Sequence, residues 1–499
     1  MSSVGGDGLP SVHVKVLFVT PECYPLVKTG GLADVAGALP LALAPLGVES
    51  RVLLPAYPGV RAKLEGVARV AALPGLFGGA GELVEGTTAD GLRVLLLDAP
   101  HLFHREQGGP YLGPDGTDWP DNHLRFGALS WVGAQISMGR VGGWQPDLVH
   151  LHDWQAALTA AYLHFDKESA DAPASLLTIH NLAFQGLFPA TTRKALKLPA
   201  EVLHVDGMEY WDQLSFLKAG VQWCDHLSTV SPTYAREILT PEEGMGFDGL
   251  LRARAHELTG IVNGIDLDVW DPETDPHLAA PYSSRRLAAK SKNTAALQRE
   301  LGLDVRADVP LFGLVSRLTE QKGLDVLLDA LPRLVATGAQ LAVLGTGAAF
   351  LEDGFRAAAA AHPGQIATVI GFDEALSHRI QAGAHAVLVP SRFEPCGLTQ
   401  LYGLRYGSLP VVSRVGGLAD TVIDANTAAL RSGVATGVQF SPVQPDPLAV
   451  AIERTVEWFA DRPAWQRAQR RAMASDVGWG TAAEQYRSLY AKVVEHRLG

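Results

Sequence analysis

The sequence predicts an α/β protein built from two Rossmann-like domains, each containing a doubly wound parallel sheet. Two observations predict this fold class. Short runs of β-branched and aliphatic residues alternate along the chain with longer Ala- and Leu-rich stretches of helical periodicity. The short runs are apolar throughout, as expected for parallel strands that helices cover on both faces.

The strand candidates form two series. The first series comprises residues 14–20, 50–55, 92–98, 147–152, 175–180 and 226–231. The second series comprises residues 311–316, 340–345, 366–371, 386–390 and 409–413. Repeated strand–helix units on this scale are typical of doubly wound domains.

The domain boundary is expected at residues 256–264, where a charged helical segment leads into the second series. We therefore expect Rossmann-like domains at about 1–256 and 265–475. Residues 476–499 contain the last periodic helix, which is expected to pack back on the first domain.

Composition limits the function classes. The 499 residues are 47% hydrophobic and 19% charged, which is typical of a folded chain rather than a disordered one. The net charge of −12 argues against nucleic acid and against an anionic membrane surface as partners. A neutral polymer or a small metabolite remains compatible with this charge.

The cysteines and the N-terminus indicate a cytoplasmic protein. The three cysteines are widely spaced, so neither a disulfide framework nor a structural zinc site is expected. No uncharged apolar run reaches the length of about 18 residues that spans a bilayer. Residues 1–10 are small and Gly-rich and lack the basic-then-apolar pattern of a signal peptide.

The first chemical motif, ECYPLVKTGGLADV at residues 22–35, follows a strand and precedes a helix. Gly30 and Gly31 allow close backbone approach, and the helix N-terminus with Lys28 suits a phosphate. The glycine pattern matches neither known phosphate loop, and a simple turn is the alternative. The letters GGLAD recur at residues 416–420, either as similar turn chemistry or as a trace of duplicated halves.

The second motif, LFGLVSRLTEQKGLD at residues 311–325, carries Arg317 and Lys322 after a strand. Doubly wound sheets bind ligands at the carboxyl ends of their strands. Arginine can grip a phosphate bidentately and lysine adds a point charge. Charge alone, however, favours the alternative of two solvated surface cations.

The third motif, PSRFEPCGLTQLYGLRY at residues 390–406, follows another strand and leads into a helix near Leu398. Glu394 stands between Phe393 and Pro395, which stiffen the turn. Its carboxylate is a candidate acceptor for sugar hydroxyls. The alternative is a carboxylate that caps the helix.

Polar residues follow two further strands, at His152 and Asp153 and at His180 and Asn181. A metal site would need a third ligand at suitable spacing, and none is apparent. Histidines of a core or a turn are the alternative. The D-x-D pattern at residues 266–268 lies at the domain boundary and is interpreted as a turn.

Residues 101–126 form a Gly- and Pro-rich segment that contains Tyr111, Trp119 and Phe126. Aromatic rings stack on the apolar faces of sugars, and long ordered loops are often functional. The segment is therefore a candidate sugar-binding loop. The alternative is a surface loop held by its aromatic side chains.

Taken together, these motifs resemble bacterial glycogen synthases and plant starch synthases. The resemblance runs from Val14 to about Leu489, and the motifs occur in the family's order: KTGGLADV, HDWQ, TIHNLAFQG, SPTYAREI, VNGID, SRLTEQKGLD, PSRFEPCGLTQLYGLRYG and VGGLADTV. It implies a GT-B fold, in which two Rossmann-like domains face a cleft. It also implies transfer of glucose from ADP-glucose to the non-reducing-end 4-hydroxyl of an α-1,4-glucan, with retention of configuration and release of ADP. No metal or other cofactor is expected.

The resemblance assigns roles to the matched residues. The implied catalytic residues are Glu394, Lys28, Arg317, Lys322, His180 and Asp153. The implied ADP-glucose-binding residues are Lys28, Gly30, Gly31, Asn263, Arg317, Lys322, Gly345, Phe372, Cys396, Gly397, Leu398 and Thr399. The implied acceptor side comprises Glu22, Tyr111 and Trp119.

Some positions depart from related patterns, including Trp119 and Phe372, which stand where relatives often have Tyr. Many retaining GT-B enzymes carry E-x₇-E, whereas Tyr402 stands eight residues after Glu394, which puts ribose recognition by a second carboxylate in doubt. Two other functions compete with the transferase. A nucleotide-sugar epimerase would need no acceptor groove, and the aromatic segment favours a polymer acceptor. A non-catalytic binding protein would be expected to lack the cations Lys28, Arg317 and Lys322, all of which are present.

Overall fold

The computed structural model describes residues 13–498, so the prediction made for residues 1–10 lies outside the described residues. Strands: β1 Val14–Val19, β2 Val48–Pro55, β3 Glu65–Leu76, β4 Gly79–Thr87, β5 Arg93–Asp98, β6 Leu148–His152, β7 Ala174–Ile179, β8 Leu187–Pro189, β9 Glu209–Tyr210, β10 Gln213–Ser215, β11 His226–Thr229, β12 Leu258–Gly260, β13 Leu311–Val315, β14 Gln340–Gly345, β15 Ile366–Ile370, β16 Ala386–Val389, β17 Leu409–Ser413 and β18 Val438–Phe440.

The helices interleave with these strands as the alternating pattern predicts. Helices: α1 Gly31–Leu43, α2 Pro100–Phe103, α3 Asn122–Ser137, α4 Asp153–His164, α5 Phe216–Trp223, α6 Pro232–Glu237, α7 Asp248–Ala253, α8 Lys290–Glu300, α9 Leu324–Ala336, α10 Ala349–Ala361, α11 Glu374–Gly383, α12 Thr399–Tyr406, α13 Gly416–Thr421, α14 Thr427–Ser432, α15 Pro445–Ala460, α16 Arg462–Met473 and α17 Trp479–Leu498. Every strand candidate of the sequence analysis coincides with a strand, within two residues at each end.

The chain divides into two compact units. The first comprises residues 13–230, 235–261 and 479–498, and the second comprises residues 231–234 and 262–478. Because α6 begins at Pro232, its first residues lie in the second unit and its last residues lie in the first.

The first unit is built on a nine-stranded sheet in the order β12-β11-β7-β6-β1-β2-β5-β4-β3. Strand β1 pairs in parallel with both β2 and β6, so the strand order reverses at the β1–β6 pair. In doubly wound sheets such a reversal opens a crevice at the carboxyl ends of the two strands, where ligands bind. The loop containing Glu22 follows β1, and Asp153 follows β6 directly.

Two antiparallel features of the first unit were not predicted. Strands β3 and β4 form a hairpin at the sheet edge, and β8, β10 and β9 form a separate small sheet. Residues of β3 are largely exposed, and its sequence, EGVARVAALPGL, lacks a continuous β-branched run. A search for buried parallel strands therefore passes over it.

Helix α17 belongs to the first unit, although it follows the second unit in sequence. Tyr486 and Tyr490 on this helix are fully buried, and the Tyr490 hydroxyl lies 2.9 Å from Nδ1 of His150 on β6. Near its end, Arg497 pairs with Asp225 at 3.2 Å. Apolar burial thus supplies most of this helix's attachment, with polar contacts fixing its position.

The second unit contains a six-stranded parallel sheet in the order β15-β14-β13-β16-β17-β18. This is the strand order of the dinucleotide-binding Rossmann fold, with the reversal between β13 and β16. The core includes Phe312, Leu314 and Val411 from the strands and Leu327 and Ile452 from the covering helices, all at most 1% exposed. The residues that follow β13 and β16 carry the second and third motifs.

Within residues 13–498, no helix combines the length and the apolar character that crossing a membrane requires.

Candidate active site

The second unit brings a cation and a carboxylate into contact at the reversal of its sheet. Lys322 ends the turn between β13 and α9, and Glu394 lies in the loop between β16 and α12. Nζ of Lys322 lies 2.6 Å from Oε2 of Glu394. Their side chains are only 20% and 9% exposed, so solvent screens this pair less than a surface ion pair.

Glu394 is not a helix cap. The residue at the N-cap of α12 is Leu398, and no side chain caps this helix. Besides the Lys322 ammonium, the Ser391 hydroxyl donates a hydrogen bond to Oε2 of Glu394 at 2.8 Å. Oε1 accepts no hydrogen bond from any described residue, so it can accept one from a ligand hydroxyl.

Glycines make the close packing behind this pair possible. Gly323 has a φ of 66°, and a Cβ there would lie 1.9 Å from the carbonyl oxygen of Pro390. A side chain would therefore push the Lys322 turn away from the Glu394 loop. From another side, a Cβ at Gly416 would lie 2.0 Å from the carbonyl oxygen of Glu394. Both glycines fix the distance between the cation and the carboxylate.

A small cavity of about 50 Å³ adjoins the pair, and its lining includes Lys322, Ser391, Glu394, Gly397, Leu398 and Thr399. Arg317 follows β13, so it lies at the same carboxyl-end edge of the sheet as Lys322 and Glu394. Its side chain is exposed and forms no ion pair among the described residues. Gly345 ends β14 and supports the Arg317 loop, because a Cβ there would lie 2.0 Å from the Ser316 carbonyl oxygen. Phe372 is 83% exposed and does not line this cavity.

Cys396 and Asn263 form a buried contact beside this loop. The Asn263 N–H donates to the Cys396 thiol, and burial raises the pKa of Cys396 to about 12. The side chain is therefore a neutral thiol near pH 7, which is a weak nucleophile. Cys396 is buried and, unlike its neighbour Gly397, does not line the cavity beside Glu394.

In the first unit, the Glu22 carboxylate accepts hydrogen bonds from the backbone of the glycine loop. Its Oε2 accepts hydrogen bonds from the N–H of Thr29 and, at 3.2 Å, from the N–H of Gly30. Tyr111 donates its hydroxyl proton to the other oxygen, Oε1. Burial raises the pKa of Glu22, although these donors oppose the shift. The Gly30 N–H, expected to meet the donor, is hydrogen-bonded to Glu22 in this structure.

The repeated GGLAD segments make backbone contacts in each unit. The first glycine of residues 30–34 donates its N–H to the Glu22 carboxylate, and the second glycine of residues 416–420 donates its N–H to the carbonyl oxygen of Glu394 at 3.1 Å. Each segment does open a helix, α1 in the first unit and α13 in the second.

Lys28 lies at the exposed edge of the glycine loop. Its Nζ lies 2.9 Å from Oδ1 of Asp34 and 5.4 Å from the centre of the Tyr24 ring. The Lys28 and Asp34 side chains are 32% and 23% exposed, so this pair is weaker than the Lys322 pair. An anionic ligand can compete for this lysine at low cost.

The aromatic segment is shorter than predicted. Helix α3 begins at Asn122, so Phe126 is helical and fully buried in the core rather than in a loop. Trp119 donates its indole N–H to the Gly109 carbonyl oxygen at 3.0 Å, and the Arg105 guanidinium lies over its ring. The alternative of a loop held by its own aromatic packing describes Trp119, whereas the Tyr111 hydroxyl reaches Glu22.

Asp153 and His180 lie together at the carboxyl ends of β6 and β7. Asp153 has a φ of 56°, an uncommon backbone conformation for a residue other than glycine. Its Oδ1 accepts hydrogen bonds from the N–H of His180 at 2.7 Å and of Asn181 at 3.4 Å. Burial raises the pKa of Asp153 to about 7, and the Glu22 carboxylate adds to this shift. Burial lowers the pKa of His180 to about 3, so its ring is neutral near pH 7.

No group of three or more His, Cys, Asp or Glu side chains among residues 13–498 is arranged to hold a metal ion. The D-x-D segment forms the predicted turn, because Oδ1 of Asp266 accepts the N–H of Asp268 at 2.9 Å.

We expect Asp153→Asn to change how stability depends on pH. The folded pKa of about 7 lies above the ordinary value of 3.8, so ionising Asp153 costs stability as the pH rises between these values. Asparagine keeps the carbonyl acceptor without the charge. The melting temperature of the Asn variant minus that of the parent should therefore become more positive from about pH 5 to about pH 8. Each pKa unit of difference between the folded and unfolded states corresponds to about 1.4 kcal/mol.

Asp166→Asn is the matched control for this prediction. Its hydrogen bonds with Arg140 lower the pKa of Asp166 to about 2, so its ionised form stabilises the fold. Because this contribution is lost only as the pH falls from about 3.8 towards 2, the melting-temperature difference between this variant and the parent should stay constant from about pH 5 to about pH 8. Parallel pH profiles of the Asp153→Asn variant and the parent would contradict the prediction.

Sequence reasoning missed three residues that complete these clusters: Ser391, Asp34 and His152 as a partner of His180. The serine stands three residues before Glu394 and Asp34 six residues after Lys28, so spacing offered a weak signal. The histidine pair spans two strands, and only the register of β6 with β7 brings it together.

Comparisons with known proteins agree over nearly the whole chain. The family described as "Starch synthase catalytic domain" matches residues 15–253, and "Glycosyl transferases group 1" matches residues 309–457. A protein of Roseobacter denitrificans named glycogen synthase is 57% identical over 481 residues, which cover 96% of this chain and 100% of the relative. One from Rhodopseudomonas palustris (strain BisA53), with the same name, is 54% identical over 97% of this chain and 98% of its own length.

A solved structure is also similar. The catalytic domain of starch synthase IV from Arabidopsis thaliana, bound to ADP and acarbose, superposes with a TM-score of 0.88 at 30% identity, covering 97% of this chain and 99% of that one. Two Rossmann-like units with charged clusters at their sheet reversals define a glycosyltransferase of the GT-B class. Within that class, the chain belongs to the family of bacterial glycogen synthases and plant starch synthases.

Proposed function

We propose that this protein is a glycogen synthase that transfers glucose from ADP-glucose to the non-reducing-end 4-hydroxyl of an α-1,4-glucan, with retention of configuration and release of ADP. The observation that carries the proposal is the partly buried Lys322–Glu394 pair, 2.6 Å apart beside a cavity at the reversal of a Rossmann sheet. The full-length similarity to proteins named glycogen synthase supports it.

The charges suit the breaking of a bond to a diphosphate. As that bond breaks, negative charge grows on the leaving diphosphate, and fixed cations stabilise it. Arg317 and Lys322 are proposed to hold the diphosphate, with Lys28 as a further cation from the first unit. The exposed guanidinium of Arg317, which has no ion pair among the described residues, is available for a phosphate.

The sugar is proposed to bind through hydrogen bonds to carboxylate and backbone groups. Oε1 of Glu394 would accept from a glucosyl hydroxyl, while Gly397, Leu398 and Thr399 line the cavity beside it. Glu394 also provides negative charge near the glucosyl unit, which favours the positive charge that develops on the sugar.

The remaining roles carry over by family resemblance. Asp153 and His180 are proposed to line the sugar, and Glu22, Tyr111 and Trp119 the acceptor side. Lys28 and the backbone at Gly30 and Gly31 are proposed to meet the donor from the first unit. Asn263, Cys396, Gly345 and Phe372 keep their proposed positions on the donor side.

A cytoplasmic location without nucleic-acid or membrane partners is proposed with this activity. The net charge of −12 and three free, buried cysteines agree with an enzyme of a reducing compartment.

The decisive test uses the purified full-length protein with glycogen and compares ADP-glucose with UDP-glucose. We expect ADP-glucose to be preferred in kcat/KM by at least about tenfold, as measured by release of nucleoside diphosphate and by glucan elongation. Equal or better turnover with UDP-glucose would contradict the donor assignment. Conversion of the sugar nucleotide without glycogen would instead support the epimerase.

A further inference from the structure

His152 and His180 are joined by a hydrogen bond at the ends of two neighbouring strands. His152 is the last residue of β6, and His180 follows β7, which pairs with β6 in parallel. Nδ1 of His152 lies 2.9 Å from Nε2 of His180. One ring must donate to the other, so the position of one proton decides which tautomer His180 adopts.

The surroundings of His152 hold its ring rigidly. The residue is fully buried, and the Phe18 ring stacks on it with centroids 5.6 Å apart and an interplanar angle of 14°. The centroid of the His150 ring lies 4.2 Å from the centroid of the His152 ring. His150 directs its own two nitrogens to Tyr490 and Thr178, so it offers no partner to His152.

The two outer nitrogens of the His152–His180 pair lie in different environments. Nε2 of His152 is buried and has no hydrogen-bond partner among the described residues. Nδ1 of His180 has no partner there either, but His180 is half-buried and this atom is not cut off from solvent. Burial lowers the pKa of both rings, so each carries a single proton near pH 7.

Two arrangements of the two protons are therefore open. In one, His152 donates from Nδ1, and the second proton lies on the accessible Nδ1 of His180. In the other, His180 donates from Nε2, and an N–H is left buried on His152 without an acceptor. Orphaned buried N–H groups are rarer in proteins than unpaired acceptors, so the first arrangement is favoured.

We propose that His152 is a positioning residue that donates from Nδ1 to Nε2 of His180 and thereby holds His180 in the tautomer protonated at Nδ1. His180 then presents a hydrogen-bond donor, not an acceptor, at the carboxyl end of β7. This inference rests on the proposed function only for the identity of the acceptor, which would be an oxygen of the bound sugar. The tautomer itself is a property of the free protein.

Nuclear magnetic resonance of the full-length protein labelled with ¹⁵N-histidine tests the tautomer directly. The His180 signals are assigned with the variant His180→Gln, and those of His152 with His152→Asn. We expect His180 to show a protonated Nδ1 and an unprotonated Nε2 near pH 7. A His180 ring protonated at Nε2 would overturn the proposal whether or not any variant folds.

Kinetics with two variants of His152 tests the consequence for catalysis. His152→Phe keeps a buried ring but removes the donor, and we expect kcat for glucosyl transfer to fall by about 10- to 100-fold. His152→Asn places an amide N–H near the position of Nδ1, and we expect it to recover most of that loss. Equal kcat values for the Phe and Asn variants would overturn the positioning role.

Tyr490→Phe is the matched control. It removes a hydrogen bond from His150 in the same buried cluster without touching His152 or His180. We expect a lower melting temperature with kcat close to that of the parent and an unchanged His180 tautomer. A kcat loss in Tyr490→Phe as large as in His152→Phe would overturn the proposal, because packing alone would then explain both. Absence of glucosyl transfer in the parent would instead refute the proposed function and leave the tautomer result valid.

Discussion

Glu394→Gln is expected to lower kcat for glucosyl transfer by about 100- to 1,000-fold, the usual effect of removing one electrostatic group from a transition state. The amide has almost the same shape as the carboxylate, and its oxygen can still accept from Lys322 and Ser391. What is lost is the negative charge that favours positive charge on the sugar as the bond to ADP breaks. Because that charge matters most in the transition state, kcat should fall more than KM rises.

We also expect Glu394→Gln to affect the affinity for ADP. In the parent, Glu394 already neutralises Lys322 across 2.6 Å. Glutamine releases the full charge of the lysine to a diphosphate, so the affinity for ADP should stay equal or increase. Single-turnover rates and calorimetric titration with ADP, made on the same preparation, measure both effects.

Asp325→Asn is the matched control for Glu394→Gln. Asp325, in the first turn of α9, pairs with Arg392 at 2.6 Å in the same unit, but this pair is more exposed, with side chains 33% and 40% accessible. Its loss should cost at most about 1 kcal/mol of stability and leave kcat near that of the parent. Near-normal turnover with a lowered melting temperature in Glu394→Gln would show that Glu394 is structural.

The fold was predictable because its strands are buried on both faces. Such strands read as continuous apolar runs, so β1, β6, β13 and β16 could be located from composition alone. The β3–β4 hairpin was not predictable in this way, because most of β3 is exposed and its sequence mixes Ala, Gly and Pro with charged residues. Its formation depends on pairing along β5 at the sheet edge, which is a tertiary effect.

The site was predictable in its residue types but not in its pairing. Charge alone could not distinguish Lys322 from a solvated surface lysine, since its partner Glu394 lies 72 residues further along the chain. The close approach of Gly323 to Pro390 creates the pair, and a sequence motif does not display such a distance. Likewise, the sequence could not reveal that Glu22 accepts a hydrogen bond from the glycine loop, because that contact depends on how the chain turns after β1.

Lys322→Gln is expected to reduce kcat/KM for ADP-glucose by about 100- to 1,000-fold, because a cation is removed from the leaving diphosphate. In contrast to Glu394→Gln, this variant should weaken binding of ADP. It also leaves the Glu394 carboxylate, 9% exposed, without its charge partner. The cost in stability is expected to be about 1–3 kcal/mol, measured as a lower melting temperature.

The control for the loss of a cation is Arg392→Gln. Arg392 follows Ser391 in the loop that contains Glu394. Its backbone N–H donates to the carbonyl oxygen of Gln321, which directly precedes Lys322, at 2.8 Å. Its guanidinium pairs with Asp325 and not with Glu394. We expect near-parent kcat/KM for this variant and little change in ADP affinity.

The double variant Lys322→Gln with Glu394→Gln separates the chemistry from the fold. Removing both charges leaves no unpaired carboxylate, so the melting temperature should recover towards that of the parent. The activity should not recover, because the diphosphate still lacks its cation and the sugar its carboxylate. If activity returned together with stability, Lys322 would serve only to neutralise Glu394, and the diphosphate would have to be held by Arg317 and Lys28 alone.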